Sequence, residues 1–398
     1  MIKYIDEVEI TNKKVLVRVD YNVSFKKDGS INDDTRIINS LPSLKLLLKG
    51  NNHLILMSHL GKPKGRDMAF SMKPIAERLQ TYFPDYKVAL IDDFLTSAPS
   101  ATASAAIAGK ENIKTIYLLE NTRFYEGEKK NDPVFSKQLA DLAEIFVDDA
   151  FGSVHRAHAS TVGVTRFLPS YGGLLLKQEV TMIKKAIEAP QRPVVSIVAG
   201  AKVSSKIGLI EKLMSVSDSI LIGGAMTNNF LKAKGLEIGK GLVELEYIPE
   251  AKRLLDLAQA QNKQLILPID RRIGVQTDEV SEPTIKTVEA VQTEDETLDI
   301  GPATEKLFCD IISQAKTILW NGPVGYFENP QFAKGSLALY KAIVSNSSAI
   351  SILGGGDTLS VIKNLPDQDK ITHISTGGGA MLELIEKGTL PGLDALDR

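Results

Sequence analysis

The sequence predicts an α/β fold of two halves, each built on a parallel sheet. Three observations carry this. Short apolar runs rich in β-branched residues alternate with stretches whose apolar residues recur at helical spacing. Nearly every such run stops at a polar or glycine-rich segment, where open parallel sheets bind ligands. The pattern occurs twice in 398 residues, on either side of a long helical stretch from Leu174 to Ala189.

In the first half, Val15-Leu16-Val17-Arg18-Val19 reads as a buried strand ending in Asp20-Tyr21-Asn22. Arg36 precedes a helical pattern at Ile37, Leu41, Leu44, Leu47 and Leu48. Leu54 to Ser58 is a strand followed by His59-Leu60-Gly61-Lys62-Pro63. A helix around Ile75, Ala76 and Leu79 leads to a run from Lys87 to Ile91, and the Ala/Ser-rich segment near Ala101 to Ala108 reads as a helix or loose connector. Ile116 to Leu119 ends in Glu120-Asn121-Thr122-Arg123-Phe124, Leu139 to Ala143 looks helical, and Ile145-Phe146-Val147 ends in a long polar loop from Asp148 to His158. Tyr171-Gly172-Gly173 closes this half.

The second half repeats the grammar. Val194 to Val198 ends in Ala199-Gly200-Ala201-Lys202, Ser219 to Ile222 in Gly223-Gly224-Ala225-Met226, and Gln264 to Leu267 in Pro268-Ile269-Asp270. Thr317 to Trp320 ends in Asn321-Gly322-Pro323-Val324-Gly325, and Ala349 to Leu353 in Gly354-Gly355-Gly356-Asp357-Thr358. Ile371 to Thr376 ends in Gly377-Gly378-Gly379, and a helix with Met381, Leu382, Leu384 and Ile385 is expected to close the chain.

Composition narrows the function classes. Hydrophobic residues make up 43% and charged residues 24%, with a formal net charge of -2, so no global attraction to nucleic acid or anionic membrane is expected. Cys309 is the single cysteine, which rules out an intrachain disulfide and points to a reducing compartment. Acids in the first nine residues argue against a signal peptide, and no apolar run reaches the length of a membrane span. The expected address is cytoplasmic.

The two halves are equipped differently. At Gly354 to Thr358, glycines let backbone approach a ligand, and a helix start favours an anion. Asp357 beside that anion needs a cation between them, which suggests Mg²⁺. The same residues would also serve as a glycine turn with an Asp/Thr helix cap. Lys202 and Lys206, four apart, would share one face of a helix start and suit a polyphosphate. Neither the phosphate-loop pattern nor the dinucleotide glycine fingerprint is present. The first half instead places Arg36, His59, Lys62, Arg123, His155, Arg156 and His158 beyond strand ends. Guanidinium forks match phosphate and carboxylate oxygens, so several on one rim imply a small, multiply anionic ligand, although a surface ion pair is the commoner fate of any single one. Zinc is disfavoured because no suitably spaced cysteine or third histidine accompanies His155 and His158.

These stretches together resemble the phosphoglycerate kinase family, in the same order along essentially the whole chain. The matching segments are Arg18 to Asn22, Ser58 to Pro63, Leu119 to Phe124, Asp149 to Ser160, Gly200 to Ser204, Leu319 to Pro323, Gly354 to Thr358 and Ser375 to Gly379. The resemblance implies two Rossmann-like parallel-sheet domains separated by a cleft, joined by a long helix, with the C-terminal segment returning toward the N-terminal domain. It assigns 1–173 to phosphoglycerate binding, 174–189 to the connecting helix, 190–375 to nucleotide binding and 376–398 to a hinge and C-terminal segment. The implied reaction is reversible phosphoryl transfer between 1,3-bisphosphoglycerate and MgADP, giving 3-phosphoglycerate and MgATP, by a monomer that needs neither nucleic acid nor membrane.

By the family pattern, Asp20, Tyr21 and Asn22 hold the glycerate region, with Leu60, Gly61 and Lys62 lining the same site. His59, Arg123 and Arg156 hold the phosphate that is not transferred. Arg36, Lys202, Gly378 and Gly379 act at the transferring group, and Lys206 on the nucleotide phosphates. Glu328 contacts ribose, Gly223 and Gly224 leave room for adenine, and Asn321, Gly355, Gly356 and Thr358 line the nucleotide site. Asp357 binds Mg²⁺. Lys62, Ala199, Ser205, Asp148 and Ala225 depart from the usual residues. Transfer from an acyl phosphate needs in-line positioning and charge neutralisation but no general base, and water must be excluded as the lobes close. A nicotinamide dehydrogenase and a non-enzymatic anion-binding protein are the rival classes, and the absent glycine fingerprint weighs against the first.

Overall fold

The computed structural model of the chain describes residues 1–94, 114–277 and 281–397. The segment from Ala101 to Ala108 lies outside them. Two compact units are formed, Met1–Thr181 with Thr389–Arg398, and Met182–Gly388.

The first unit holds β1 Lys14–Arg18, β2 His53–Met57, β3 Lys87–Ile91, β4 Thr115–Leu119, β5 Ile145–Asp148 and β6 Ser170–Gly172. They form one parallel sheet in the order β3-β4-β2-β1-β5-β6. β1 is central, with Val17 opposite Leu56 on one side and Val147 on the other. Val15, Val17, Leu54 and Leu56 pack with Ile37, Leu41, Leu44 and Leu47 of the helix Thr35–Lys49. The period-3.6 spacing seen in the sequence is thus the core-facing stripe. The helix expected near Leu139 to Ala143 is Pro133–Ala140; Asp132 caps it by accepting from the Phe135 amide at 2.8 Å, and Pro133 starts it, while residues 141–143 lie beyond it.

The second unit holds β7 Val194–Val198, β8 Ser219–Ile222, β9 Gln264–Ile266, β10 Asp270–Ile273, β11 Thr284–Thr287, β12 Thr297–Ile300, β13 Thr317–Asn321, β14 Ile350–Gly354 and β15 His373–Ser375. Six of these make a parallel sheet in the order β15-β14-β13-β7-β8-β9. The direction of winding reverses between β7 and β13, and the crevice outside their carboxyl ends is the expected ligand position. Val195, Ile197, Ile318, Trp320 and Leu353 build the core with Phe308, Leu339 and Tyr340.

Three features correct the sequence reading. β10, β11 and β12 form a separate antiparallel sheet in the order β11-β10-β12, which lacks the apolar runs that marked the other strands. Lys202 lies in an exposed loop and the helix Ile207–Val216 begins only after Lys206, so the two lysines do not share a helix face. The helix Gly378–Lys387 does not close the chain, because Pro391–Leu396 forms another, whose Gly392 amide donates to Val154 O at 2.8 Å.

Candidate active site

In the first unit, a buried charge network underlies the ends of β1, β2, β4 and β5. Arg18, the last residue of β1, is wholly buried. Its Nη2 donates to His59 Nδ1 at 2.9 Å and its Nε to Ser160 Oγ at 2.9 Å. Ser160 Oγ donates onward to Glu128 Oε1 at 2.6 Å, and the Ser160 amide to Oε2 at 3.1 Å. His158 Nδ1 lies 3.6 Å from the same carboxylate. Burial alone would raise the Glu128 pKa, but the bond to His158, the charge of Arg18 and the bond to Ser160 outweigh it and lower it. Glu128 is therefore the ionised counter-charge beneath the cations.

Burial, followed by the charges of Arg18, Arg123, Arg156 and Arg36, holds His59 well below 6.5. The ring is neutral, and because Nδ1 accepts from Arg18 its proton sits on Nε2. Arg123 is buried, and its Nη1 donates to Gly61 O at 2.6 Å. Burial, then Arg156 and Arg18, lowers its pKa to about 10, so it stays charged at neutral pH. Its Nε is buried and has no partner. A buried donor without an acceptor calls for one, a water or a ligand oxygen.

Asp20 and Arg36 form an ion pair, and the Asn22 amide reaches Asp20 Oδ1 at 3.4 Å. Asn22 Oδ1 accepts from the Gly61 amide at 2.8 Å, which ties the β1 and β2 ends together. Arg156 is exposed and donates from Nε to His155 Nε2 at 3.0 Å. Lys62 is exposed. Tyr21 points the other way: it is wholly buried with its hydroxyl 2.8 Å from Ser40 Oγ, so it has only backbone to offer a ligand. The Leu60 amide and carbonyl are both held by the Asn121 side chain, at 3.2 and 2.8 Å.

Arg18, Glu128, Ser160 and Asn121 carry this architecture without having been singled out as site residues. Arg18 had a signal, since a charge inside a buried apolar strand needs a partner. Glu128 had none: in Glu126-Gly127-Glu128-Lys129-Lys130 it reads as one more surface acid. Beneath the same strand ends, burial raises Asp148 and Asp149 to about 7. Asp149 Oδ1 caps the helix Leu174–Glu188, accepting from the Leu175 and Leu176 amides at 2.9 and 3.2 Å.

In the second unit the site is made of backbone. Gly355 has φ +113°, a region L side chains rarely adopt, and a Cβ there would lie 2.7 Å from Asn321 Nδ2. The turn it permits starts the helix Gly356–Ile362. Gly378 starts Gly378–Lys387 directly beside it; a Cβ on Gly378 would come within 2.9 Å of Gly355 Cα. Two helix starts thus lie together, each with free amides and a positive dipole end. Gly356 and Gly379 are exposed at these starts.

The frame around them is polar and fixed. Asn321 Nδ2 donates to Gly354 O at 2.7 Å, while Asn321 Oδ1 accepts from Lys206 Nζ. The Thr358 hydroxyl donates to Gly354 O at 3.1 Å and accepts from the Gly322 amide at 2.7 Å, so its side chain serves the frame. Burial lowers the Lys206 pKa, and the nearby Asp357 partly offsets this. Asp357 itself is exposed, and no group of three metal-binding side chains occurs among the described residues.

Beside this frame opens a cavity with about 900 Å³ of empty space, open solvent included. Gly200, Gly224, Leu298, Val324, Glu328 and Asp357 are among its walls. Gly223 stands behind it, where a Cβ would lie 2.4 Å from Val324 Cγ1, and Gly224 packs on the Gly200 backbone. Glycine is required at both by loop packing, whatever the cavity holds.

The chain is similar to known proteins along nearly its whole length. The family profile described as phosphoglycerate kinase matches residues 5–388. The phosphoglycerate kinase of Thermus thermophilus is 44% identical over 391 residues, covering 98% of each chain. That of Finegoldia magna is 44% identical over 396 residues, covering 99% of each. Among solved structures, phosphoglycerate kinase from Coxiella burnetii has a TM-score of 0.88 at 36% identity, covering 100% of this chain and 99% of that one. The Pyrococcus horikoshii enzyme has a TM-score of 0.86 at 29% identity, covering 99% of this chain and 98% of that one.

Proposed function

The chain belongs to the phosphoglycerate kinase family, and from that premise we propose how its residues divide the work. The reaction is the reversible transfer of a phosphoryl group between 1,3-bisphosphoglycerate and ADP, giving 3-phosphoglycerate and ATP. The first unit binds the phosphoglycerate. Arg123 Nε, Arg156 and the Nε2 proton of His59 hold the phosphate that stays, and Asp20 and Asn22 orient the glycerate. The observation that supports this most is the buried, partnerless Nε of Arg123 within a cluster of cations.

The second unit binds the nucleotide. The amides opening at Gly355-Gly356 and Gly378-Gly379 receive phosphate oxygens, and Lys206 adds charge beside them. The cavity with Gly224, Val324 and Glu328 takes the base and ribose. Arg36 and Lys202 neutralise the transferring group, which carries its charge on equatorial oxygens in the transition state. No side chain moves a proton, because the acyl carboxylate leaves and attacks in its ionised form.

Asp357 fits Mg²⁺: one exposed carboxylate at a phosphate-binding helix start suits a cation that takes most of its other ligands from phosphate and water. When bound, the ion would neutralise and orient the nucleotide phosphates. No helix among the described residues is long and apolar enough to cross a membrane. We place the enzyme in the cytoplasm, consistent with its single cysteine, Cys309, and propose that it works as a monomer.

A coupled assay with 3-phosphoglycerate, ATP and Mg²⁺ tests the activity. Calorimetry then tests the division of labour: Arg123→Ala should weaken 3-phosphoglycerate binding and leave nucleotide binding intact, and Asp357→Asn the reverse. A variant that weakened the other ligand instead would refute the assignment.

A further inference from the structure

Lys202 is exposed on the loop between β7 and the helix Ile207–Val216. A long side chain on a free loop spreads its ammonium over many positions, which serves poorly a charge that develops at one place. This loop is not free. At its start, Gly200 O accepts from the Met226 amide at 2.9 Å. At its end, the Lys206 amide donates to Val203 O at 2.8 Å, and the Val203 side chain is wholly buried. Between these points a carboxylate from far along the chain takes hold. The Ser204 amide donates to Glu244 Oε2 at 2.9 Å and the Ser204 hydroxyl to Oε1 at 2.6 Å. Burial would raise the Glu244 pKa, but the bonds from the Ser204 hydroxyl and amide, the charge of Lys202 and the Val203 amide outweigh it and lower it. Glu244 is thus ionised at neutral pH and accepts on both oxygens.

Glu244 is anchored in turn. Its amide donates to Asn229 Oδ1 at 3.2 Å, and its carbonyl accepts from Asn229 Nδ2 at 2.6 Å. Asn228 Nδ2 donates to Leu242 O at 2.9 Å. Both asparagines are buried in the helix Thr227–Ala233. The strand of chain leading to Glu244 is therefore fastened to that helix, and Gly241 and Leu242 within it line the nucleotide cavity. A buried helix fixes Glu244, Glu244 fixes Ser204, and Ser204 sits two residues beyond Lys202.

We infer that Glu244 is the positioning residue of Lys202. It sets the backbone from which the lysine reaches the transferring phosphoryl group, and it acts through Lys202 rather than on a substrate. This rests on the reading of Lys202 as a cation of that group. The rival role is a tie that only stabilises the loop, or a wall of the nucleotide cavity.

The test is a double-mutant cycle on the full chain, read as single-turnover transfer rates with 3-phosphoglycerate and MgATP at saturation, with KM values and melting temperatures beside them. Glutamine at 244 has one acceptor oxygen for two donors, so the loop should loosen without emptying the site. Glu244→Gln should slow transfer by about tenfold, within what a misplacement of about 1 Å can cost, and move either KM by no more than about twofold. In a Lys202→Ala background the same substitution should change the rate by less than about twofold, because the group it positions is gone. Ser204→Ala, which removes one donor from the other side of the clamp, should behave alike and decides the matter should Glu244→Gln not fold. An equal slowing in both backgrounds, a raised KM for MgATP with an unchanged rate, or a lowered melting temperature alone overturns the proposal. A near-normal rate for Lys202→Ala by itself overturns the reading of Lys202, and the role of Glu244 with it.

Discussion

Arg18 Nη2 donates to His59 Nδ1 at 2.9 Å, with both residues buried under the ends of β1 and β2. That single bond links a strand residue with no route to solvent to a side chain proposed above to hold the substrate phosphate. It fixes the histidine tautomer and, together with burial, keeps the ring neutral. The charge of Arg18 is answered behind the site through Ser160 and Glu128 rather than in front of it. The face proposed to bind the phosphoglycerate is consequently positive without being a stack of unanswered cations.

His59 should not titrate near neutrality. Its pKa lies well below 6.5, so the ring is neutral from pH 6 to 9 and 3-phosphoglycerate binding should show no step from it in that window. The charged form would be the weaker folder, so this histidine removes stability only as pH falls toward its unfolded value and below. NMR of the His59 ring protons should give flat shifts above pH 6. A titration midpoint near 6.5 would contradict the buried bond to Arg18.

Arg123→Ala should raise the KM for 3-phosphoglycerate by tenfold or more, with kcat changed far less, because the contact is made to a phosphate that does not react. The loss of a charged hydrogen bond is on the order of 2 kcal/mol. The free protein should lose little thermal stability, since a cation buried with an unused Nε leaves with the mutation. A large drop in melting temperature with unchanged KM would instead make Arg123 a structural residue.

Lys202→Ala should leave the fold untouched, because Lys202 is an exposed loop residue. Its proposed work is confined to the transition state, so kcat should fall by about a hundredfold, in line with losing one preorganised charge contact. Substrate KM values should move by no more than a few-fold. Single-turnover rates at saturating substrates separate this from slower product release.

The parallel strands were legible because each is a short apolar run bounded by polar or glycine-rich residues, as in Val194 to Gly200. β10 was not, because Asp270-Arg271-Arg272-Ile273 buries its charges through partners far along the chain, Thr227, Thr297 and Glu305. The strand-end cations stood out by position, and His59 and Arg123 do meet around Gly61 and Arg18. What holds them did not stand out. Glu128 lies 110 residues from Arg18 in the chain and reaches it only through Ser160. Local pattern reports periodicity and turn chemistry, and long-range compensation of charge leaves no periodic trace.

Asp148→Asn should stabilise the protein at alkaline pH and do little in acid. Asp148 is wholly buried at the end of β5, and burial raises its pKa to about 7; Arg18 opposes the shift and Asp20 adds to it. Oδ1 accepts from the Ala150 amide at 3.0 Å, whereas Oδ2 has no partner. In the unfolded chain this carboxyl ionises near its ordinary value of 3.8, so between there and about 7 the folded state binds the extra proton. Stability therefore falls as pH rises through that interval, and above it the folded protein carries an ionised carboxylate short of one partner. Asparagine keeps the acceptor for Ala150 and never ionises. Chemical denaturation should show a gain for the variant that grows by roughly 2–3 kcal/mol between pH 5 and pH 8. Equal stability of the two proteins at both pH values would mean that Arg18 neutralises Asp148 fully, and that the carboxylate belongs to the charge network under the site.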